Sequence, residues 1–431
     1  MKRPMNPPNI PILLKEERNH KDILSFEVGD YADRFNRQYL HWSEVRYRDT
    51  GDFEPDIIWA RMKLARLDNA ETLNLGSFDI TFNITNGIQR LLHIFDSKSS
   101  VGFVPFDRVD SKKRIIHSIS SMMEESIASS QMEGAVTTTK VAKKLLQSNR
   151  APRDRSEQMI INNYRAMQTI HERKDEPLTR ELILDIHRIV TQDTLSEEDV
   201  GRFRDNDLVV VADPLDGTVY HEPIEKDLIE NTIDELCRFV NDEDRFIHPI
   251  IKGILIHFAI AYIHPFEDGN GRVARTLFYW YEMKKGYWLM EYLSISKCIK
   301  AHKGRYSNAY QLAESDDNDV TYFINFNLDI LMESLNMFTE YLERKLIEND
   351  DMAEYIKGSR LNLRQKTVMN DMIREGSNIS VQYLMNRYAV SNNTARSDID
   401  TLLKAGMIEP AGKDGHRILY GVTENMQSSN R

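Results

Sequence analysis

Residues 250–263 read Ile-Ile-Lys-Gly-Ile-Leu-Ile-His-Phe-Ala-Ile-Ala-Tyr-Ile, and no other run constrains the chain as much. A helix apolar on nearly every face is stable only when other elements cover it on all sides. The run therefore predicts a central buried helix, with His257 as a core histidine. Pro265 follows immediately, and the residue before a proline is driven out of helical conformation, so the helix should end near His264. From Val273 to Tyr281 the pattern is helical again. The chain thus folds around two consecutive helices joined by a sharp break.

The break is where the chemistry concentrates: His264-Pro265-Phe266-Glu267-Asp268-Gly269-Asn270-Gly271-Arg272-Val273-Ala274-Arg275. Gly269 and Gly271 permit backbone angles closed to other residues. The second helix then starts with its unpaired N–H groups facing outward, which makes an anion site. Arg272 and Arg275 are three residues apart and share a helix face. Two guanidiniums match phosphate oxygens better than lysines would. Asp268 is suited to Mg²⁺, which usually takes one or two carboxylates plus substrate phosphates. His264 is the one group here that titrates near neutrality, and so the candidate general base.

The twelve residues resemble the signature of the Fic family, His-x-Phe-x-(Asp/Glu)-Gly-Asn-Gly-Arg-x-x-Arg, with every defined position matched. The resemblance implies a mainly α fold, a Fic-type helical bundle with a β-hairpin flap. It implies a protein adenylyltransferase, which moves AMP from ATP to a hydroxyl of a target protein and releases pyrophosphate. Carried over, His264 deprotonates the hydroxyl, Asp268 holds Mg²⁺, Gly269, Asn270 and Gly271 bind phosphate, and Arg272 and Arg275 hold the outer phosphates. The related Doc kinases usually carry lysine at the position of Gly271, so this is the AMP-transfer form.

Upstream, the helical pattern of 115–127 leads into Ser129-Ser130-Gln131-Met132-Glu133-Gly134, with Gly134 a helix stop. In Fic context this resembles the inhibitory motif (Ser/Thr)-x-x-x-Glu-(Gly/Asn), on a helix near 112–134. The resemblance implies that Glu133, with Ser129 opening the motif, pairs with Arg275 and keeps it from the γ-phosphate. In some relatives the same glutamate supports AMP removal.

Leu208, Val209, Val210 and Val211, a turn at 213–217, and Val219-Tyr220-His221 read as a hairpin. In the family the corresponding hairpin is the flap that covers the nucleotide and docks the target. Tyr306 sits where the family usually has two tyrosines near the adenine. Ser307 departs from that pattern, so a buried helix tyrosine is the alternative.

Of the 431 residues, 41% are hydrophobic, enough for two or three cores. The division expected is a helical N-terminal region at 1–110, the Fic domain at 111–348 and a winged helix at 360–425. Helices are expected over 30–48 and 56–67, strands near 78–84, and a long amphipathic helix over 320–346 that stops at the acidic residues 348–351. Trp42 and Trp59 read as core anchors.

Residues 364–374, 380–388 and 390–402 read as three helices, followed by two strands: a winged helix-turn-helix. Arg396, Lys404, Lys413 and Arg417 suit DNA, Asp398 and Asp400 oppose it, and the net charge of about +2 is a weak phosphate footprint. The module therefore fits DNA or protein contacts. Two cysteines, Cys237 and Cys298, give no disulfide or metal pattern. No apolar stretch approaches ~20 residues, and the expected setting is cytoplasmic with no membrane partner. A net charge of −11 argues against indiscriminate nucleic-acid binding. Self-modification and homodimerisation are further implications of the resemblance. The competing function is a DNA-binding regulator whose Fic core senses nucleotide, or a de-AMPylase.

Overall fold

The structure is a computed structural model that describes residues 4–99, 111–148, 150–212, 217–359, 361–375, 377–388, 390–414 and 417–423. The chain forms two compact units, one from 1–100 with 119–335 and the other from 101–118 with 336–431. Helices dominate both. The described strands form three separate two-stranded antiparallel hairpins. No described helix is long and apolar enough to cross a membrane.

The expected central helix is Pro249–Ile263, with Ile250, Ile254, Leu255, Ile256, Phe258 and Ile260 fully buried. His257 is buried too, with Nε2 2.9 Å from the Tyr306 hydroxyl. The next helix, Asn270–Lys284, packs on it. Helices Arg155–Glu172, Arg180–Thr191 and Lys226–Asn241 complete the surround. Each presents an apolar stripe, which is why an all-apolar helix can sit at their centre.

The N-terminal segment carries its own cluster, including Val28, Phe35, Ile58 and Trp59, between helices Phe26–Gln38 and Pro55–Asn69. Trp42 packs partly buried against it. The helix expected over 30–48 is broken into Phe26–Gln38 and Trp42–Val45. Tyr39, at φ 51°, ends the first because its hydroxyl is drawn to Asp319 (2.7 Å) and Asn83 (2.9 Å). The short strands are Glu71–Asn74 and Asp79–Phe82. Helix Thr321–Gly358 runs through the acidic residues expected to end it, since Glu and Asp do not break a helix as Gly or Pro does.

Glu282, on helix Asn270–Lys284, is fully buried, and neither carboxyl oxygen has a partner among the described residues. Burial pushes its pKa well above the usual carboxylate range. The group is therefore neutral in the folded state and ionised in the unfolded chain, so it weakens the fold progressively as pH rises above the ordinary carboxylate value. Glu282→Met, which keeps the volume and removes the charge, should raise Tm at pH 8 more than at pH 5, as thermal denaturation at both pH values will measure.

In the second unit, helices Leu363–Glu375, Val381–Tyr388 and Asn392–Lys404 enclose Val368, Met369, Leu384, Ile399 and Leu402. Strands Ile408–Asp414 and Arg417–Val422 form the wing. Ser380 and Ser391 cap the second and third helices by accepting the N–H groups of Tyr383 and Thr394. Asp398 corrects one expectation: it points inward, 2% exposed, and pairs with Arg364 (2.6 and 3.1 Å) and Gln365. It therefore fixes two helices together instead of opposing DNA on the surface.

Candidate active site

The central helix ends at His264, whose backbone takes the left-handed conformation (φ 48°). That conformation is costly for a non-glycine residue and must be held by its surroundings. Arg204, 5% exposed, does so: its Nε donates to His264 O (3.0 Å) and its backbone N–H to Pro265 O (2.9 Å). Its guanidinium also reaches Asn206 O, Asp207 and Ile224 O. Arg204 thus ties the break to the hairpin segment.

His264 Nδ1 lies 3.2 Å from Ala261 O. A carbonyl only accepts, so Nδ1 carries the proton and Nε2 keeps its lone pair. Burial holds the His264 pKa down at about 4, so the imidazole is neutral at pH 7 and can accept a proton.

The loop is closed by its own side chains. Asn270 Nδ2 donates to Phe266 O (2.7 Å), and Asn270 Oδ1 accepts from Phe266 N (3.0 Å). The Asn270 side chain is therefore spent on loop shape, and its contribution toward an anion is its backbone N–H. Gly269, at φ 91°, precedes the helix and accepts the first intrahelical bond from Val273. The N–H groups of Asn270, Gly271 and Arg272 have no carbonyl within the helix to take them.

Phe266 stacks on His187 with ring centres 3.8 Å apart and planes 3° from parallel. Gly201 N–H donates to His187 Nδ1 (3.0 Å), so His187 Nε2 carries the proton and donates to Asp268 O (3.0 Å). His187 braces the loop from helix Arg180–Thr191. In sequence it reads as one more residue on an amphipathic helix, and only its contacts give it a role.

Arg272 is fully buried and donates to Val190 O (2.6 Å) and Asp268 Oδ1 (3.2 Å). Asp268 also accepts from the exposed Arg155 (3.0 Å). Arg275 is 2% exposed, and its Nε and Nη2 are held by the upstream helix Ser111–Met132 and the turn after it. Nε donates to Ser129 Oγ (3.0 Å), and Nη2 to Ser129 O (3.2 Å) and Glu133 Oε1 (2.9 Å). Gly134, at φ 96°, ends the turn. Glu133 Oε1 lies so close to Gly271 that a Cβ on that residue would overlap it. The carboxylate thus lies against the N-terminus of the arginine helix, where an anion is favoured.

The hairpin is shorter than expected. Only Val211 of the four residues assigned to it is in a strand, Val211–Ala212 pairing with Val219–His221. Leu208, Val209 and Val210 lie outside it, with Leu208 87% exposed. Asn206 Oδ1 accepts the Leu208 N–H (2.9 Å), a local bond that replaces a ladder bond. The expected turn residues Asp213, Pro214, Leu215 and Asp216 lie outside the described residues. His221 joins the hairpin to the core through Tyr262 O (2.7 Å) and Glu314 (3.0 Å).

Tyr306 lies beside Arg275, with its hydroxyl between His257 and Tyr310 (3.4 Å). Tyr310, one turn further on the same helix, is a second tyrosine beside it. It stacks on Phe258 (5.4 Å, 16°). The i, i+4 spacing was the available signal.

Residues 177–281 match the model of the Fic/DOC family. The chain thus carries a Fic/DOC-type region over 177–281. Residues 364–410 match the DeoR-like helix-turn-helix domain. This chain is 28% identical over 166 residues to the protein adenylyltransferase Fic of Aedes aegypti, covering 38% of this chain and 30% of that protein. It is 30% identical over 154 residues to the protein adenylyltransferase Fic of Nematostella vectensis, covering 36% and 32%. The matched part therefore spans about a third of these curated relatives. A crystal structure of a Fic family protein from Desulfovibrio desulfuricans G20 shares the fold, with TM-score 0.53 and 19% identity over 79% of this chain and 97% of the other.

Proposed function

We propose that this Fic protein is an enzyme that transfers AMP from ATP to a hydroxyl side chain of a target protein, restrained by Glu133. One observation carries the reading. A neutral imidazole with a free Nε2 ends one helix, and the loop from it leads into a second helix that offers first-turn N–H groups and two buried guanidiniums. A base, an anion cradle and fixed positive charge are what phosphoryl-group chemistry requires of a protein.

In the proposed reaction the target hydroxyl attacks the α-phosphorus while His264 Nε2 takes its proton. An oxygen–phosphorus bond to the target forms, the bond from the α-phosphorus to the bridging oxygen breaks, and pyrophosphate leaves. The first-turn N–H groups and Arg272 hold phosphate charge, and Arg275 holds the γ-phosphate once Glu133 releases it. Leu208 to Val211 and Tyr306 flank the nucleotide. Mg²⁺ fits Asp268, because a single half-exposed carboxylate leaves the remaining positions to phosphate oxygens, as this ion prefers. When bound, it would neutralise phosphate charge. Among the described residues no group of three or more His, Cys, Asp or Glu could hold a metal ion.

The test is incubation of the Glu133→Gly protein and a cell lysate with ATP labelled at the α or the γ phosphate. Protein label from α only is the expected result. Label from γ only would mean kinase chemistry, and loss of AMP from prelabelled protein would mean removal.

A second function is favoured for the winged helix. Arg396, Arg417, Asn392, Gln382 and one acidic residue, Asp400, line a pocket of about 390 Å³ between the third helix and the wing. With Asp398 turned inward, this face is more basic than the sequence suggests. We propose that it contacts nucleic acid, as the DeoR-like match supports. Duplex DNA should be retarded in a gel at low salt and released as salt rises, and Arg396→Ala should weaken binding. No retardation at any salt would leave the module to protein contacts.

A further inference from the structure

The upstream helix and the arginine helix run antiparallel in a fixed register. Glu125 meets Tyr279 (2.9 Å), Ser129 meets Arg275 (3.0 Å) and Glu133 lies against Gly271. Each step is four residues on both segments, with opposite sense, the last reaching Glu133 in the turn that follows the upstream helix. The three pairs therefore form one ladder, with rungs about 6 Å apart at 1.5 Å per residue. The last rung is at the solvent edge, where the Glu133 side chain is 29% exposed. The first is deep, where Glu125 is 2% exposed.

Glu125 is also the best-satisfied carboxylate in the region. Besides Tyr279, it accepts from Ser296 N–H (2.9 Å), Ser296 Oγ and Ser294 Oγ (3.1 Å). Four donors match the roughly four acceptor sites of a carboxylate. Burial raises its pKa above the usual range, but hydroxyl partners can serve either protonation state. Ser294 and Ser296 belong to the start of helix Ile295–Ala301, so Glu125 joins three helices at one point. No step of the proposed transfer uses this cluster.

We infer that Glu125 is a positioning residue: it locks the register of the upstream helix against the arginine helix and thereby delivers Glu133 to Arg275. The inference rests on the reading of Glu133 as inhibitory. A slip of one residue would move Glu133 about 1.5 Å along the axis and about 100° around it, enough to break a 2.9 Å ion pair. The outer rung closes on a side chain that is 29% exposed, so its placement depends on how the segment that carries it is held. The buried inner rung supplies the rigidity.

The test is a set of Glu125→Gln, Ser296→Ala and Tyr279→Phe variants, each in the wild-type and the Glu133→Gly chain, with AMP transfer and Tm measured. In the wild type each should raise transfer by about 3- to 10-fold, the scale of one lost hydrogen bond in a restraint. In the Glu133→Gly chain each should leave the rate within about twofold, because no restraint remains to be released. That non-additivity is not expected of a purely structural residue. Equal losses of rate in both backgrounds, following Tm, would overturn the inference. So would an unchanged wild-type rate while Glu133→Gly alone is active. If Glu133→Gly itself is no faster than wild type, the inhibitory reading fails first, and this inference with it. Ser296→Ala removes a single hydroxyl and keeps the test valid if Glu125→Gln does not fold.

Discussion

Glu133→Gly is expected to raise AMP transfer by about 10- to 100-fold over the unmodified chain, the range spanned by one charge-assisted hydrogen bond to a buried partner. The guanidinium of Arg275 is 2% exposed and already committed to Ser129 and Glu133. On the proposed reading a γ-phosphate takes the place of the carboxylate. Removing Glu133 leaves a buried cation short of one acceptor, which costs stability until an anion replaces it. ATP should therefore raise the Tm of Glu133→Gly by more than that of the wild type, since a ligand stabilises by what it binds. Glu133→Gln should fall between the two, because an amide oxygen still accepts from Arg275 but without charge. Radiolabel transfer from α-labelled ATP measures the rates, and thermal shift with and without ATP measures the binding. A wild-type rate equal to that of Glu133→Gly would remove the autoinhibition reading.

His264→Ala in the Glu133→Gly chain should lower transfer by about 10²- to 10⁴-fold, the usual contribution of a general base. Its ATP-dependent Tm shift should persist, because the phosphate contacts come from the loop and the arginines. The pH dependence gives a sharper signature. The neutral imidazole is the active form, and burial holds its pKa at about 4. Activity should therefore be flat from pH 8 down to about 5 and fall only as pH approaches 4. An unperturbed histidine would lose activity below about 6.5. Initial rates must be read where circular dichroism shows the chain folded. Burial also depresses His187 to about 4 and His257 to about 3, so both favour protonation in the unfolded chain and weaken the fold as pH drops below about 6.5. A rate that titrates near pH 6.5 would place a different group in the role of base.

The helices around the site were legible because their signals are local. An all-apolar run, a proline, two glycines and a serine cap each act over a few residues. The break at His264 and the three helices of the wing module follow from such signals, and the second helix is legible from Val273 although it begins at Asn270. The hairpin was harder. Its β-branched run suggested four strand residues, but pairing needs a partner and a face to bury, and only Val211–Ala212 found them. Asp398 and Tyr39 were misread for the same reason, since a distant residue decides what each does: Arg364 for the first, Asp319 for the second.

The sequence by itself determined which chemistry is available: one base, two carboxylates and two guanidiniums held within twelve residues by the covalent chain. It also placed Glu133 in a motif of known kind. Tertiary structure alone decided which atoms are free to act. It turned His264 Nδ1 to Ala261, spent the Asn270 side chain on the loop, and set His187 and Arg204 as braces. It also matched Glu125, Ser129 and Glu133 to Tyr279, Arg275 and Gly271. Such pairings join residues more than a hundred positions apart. Their geometry comes from how two helices pack, and no local pattern in the chain encodes it.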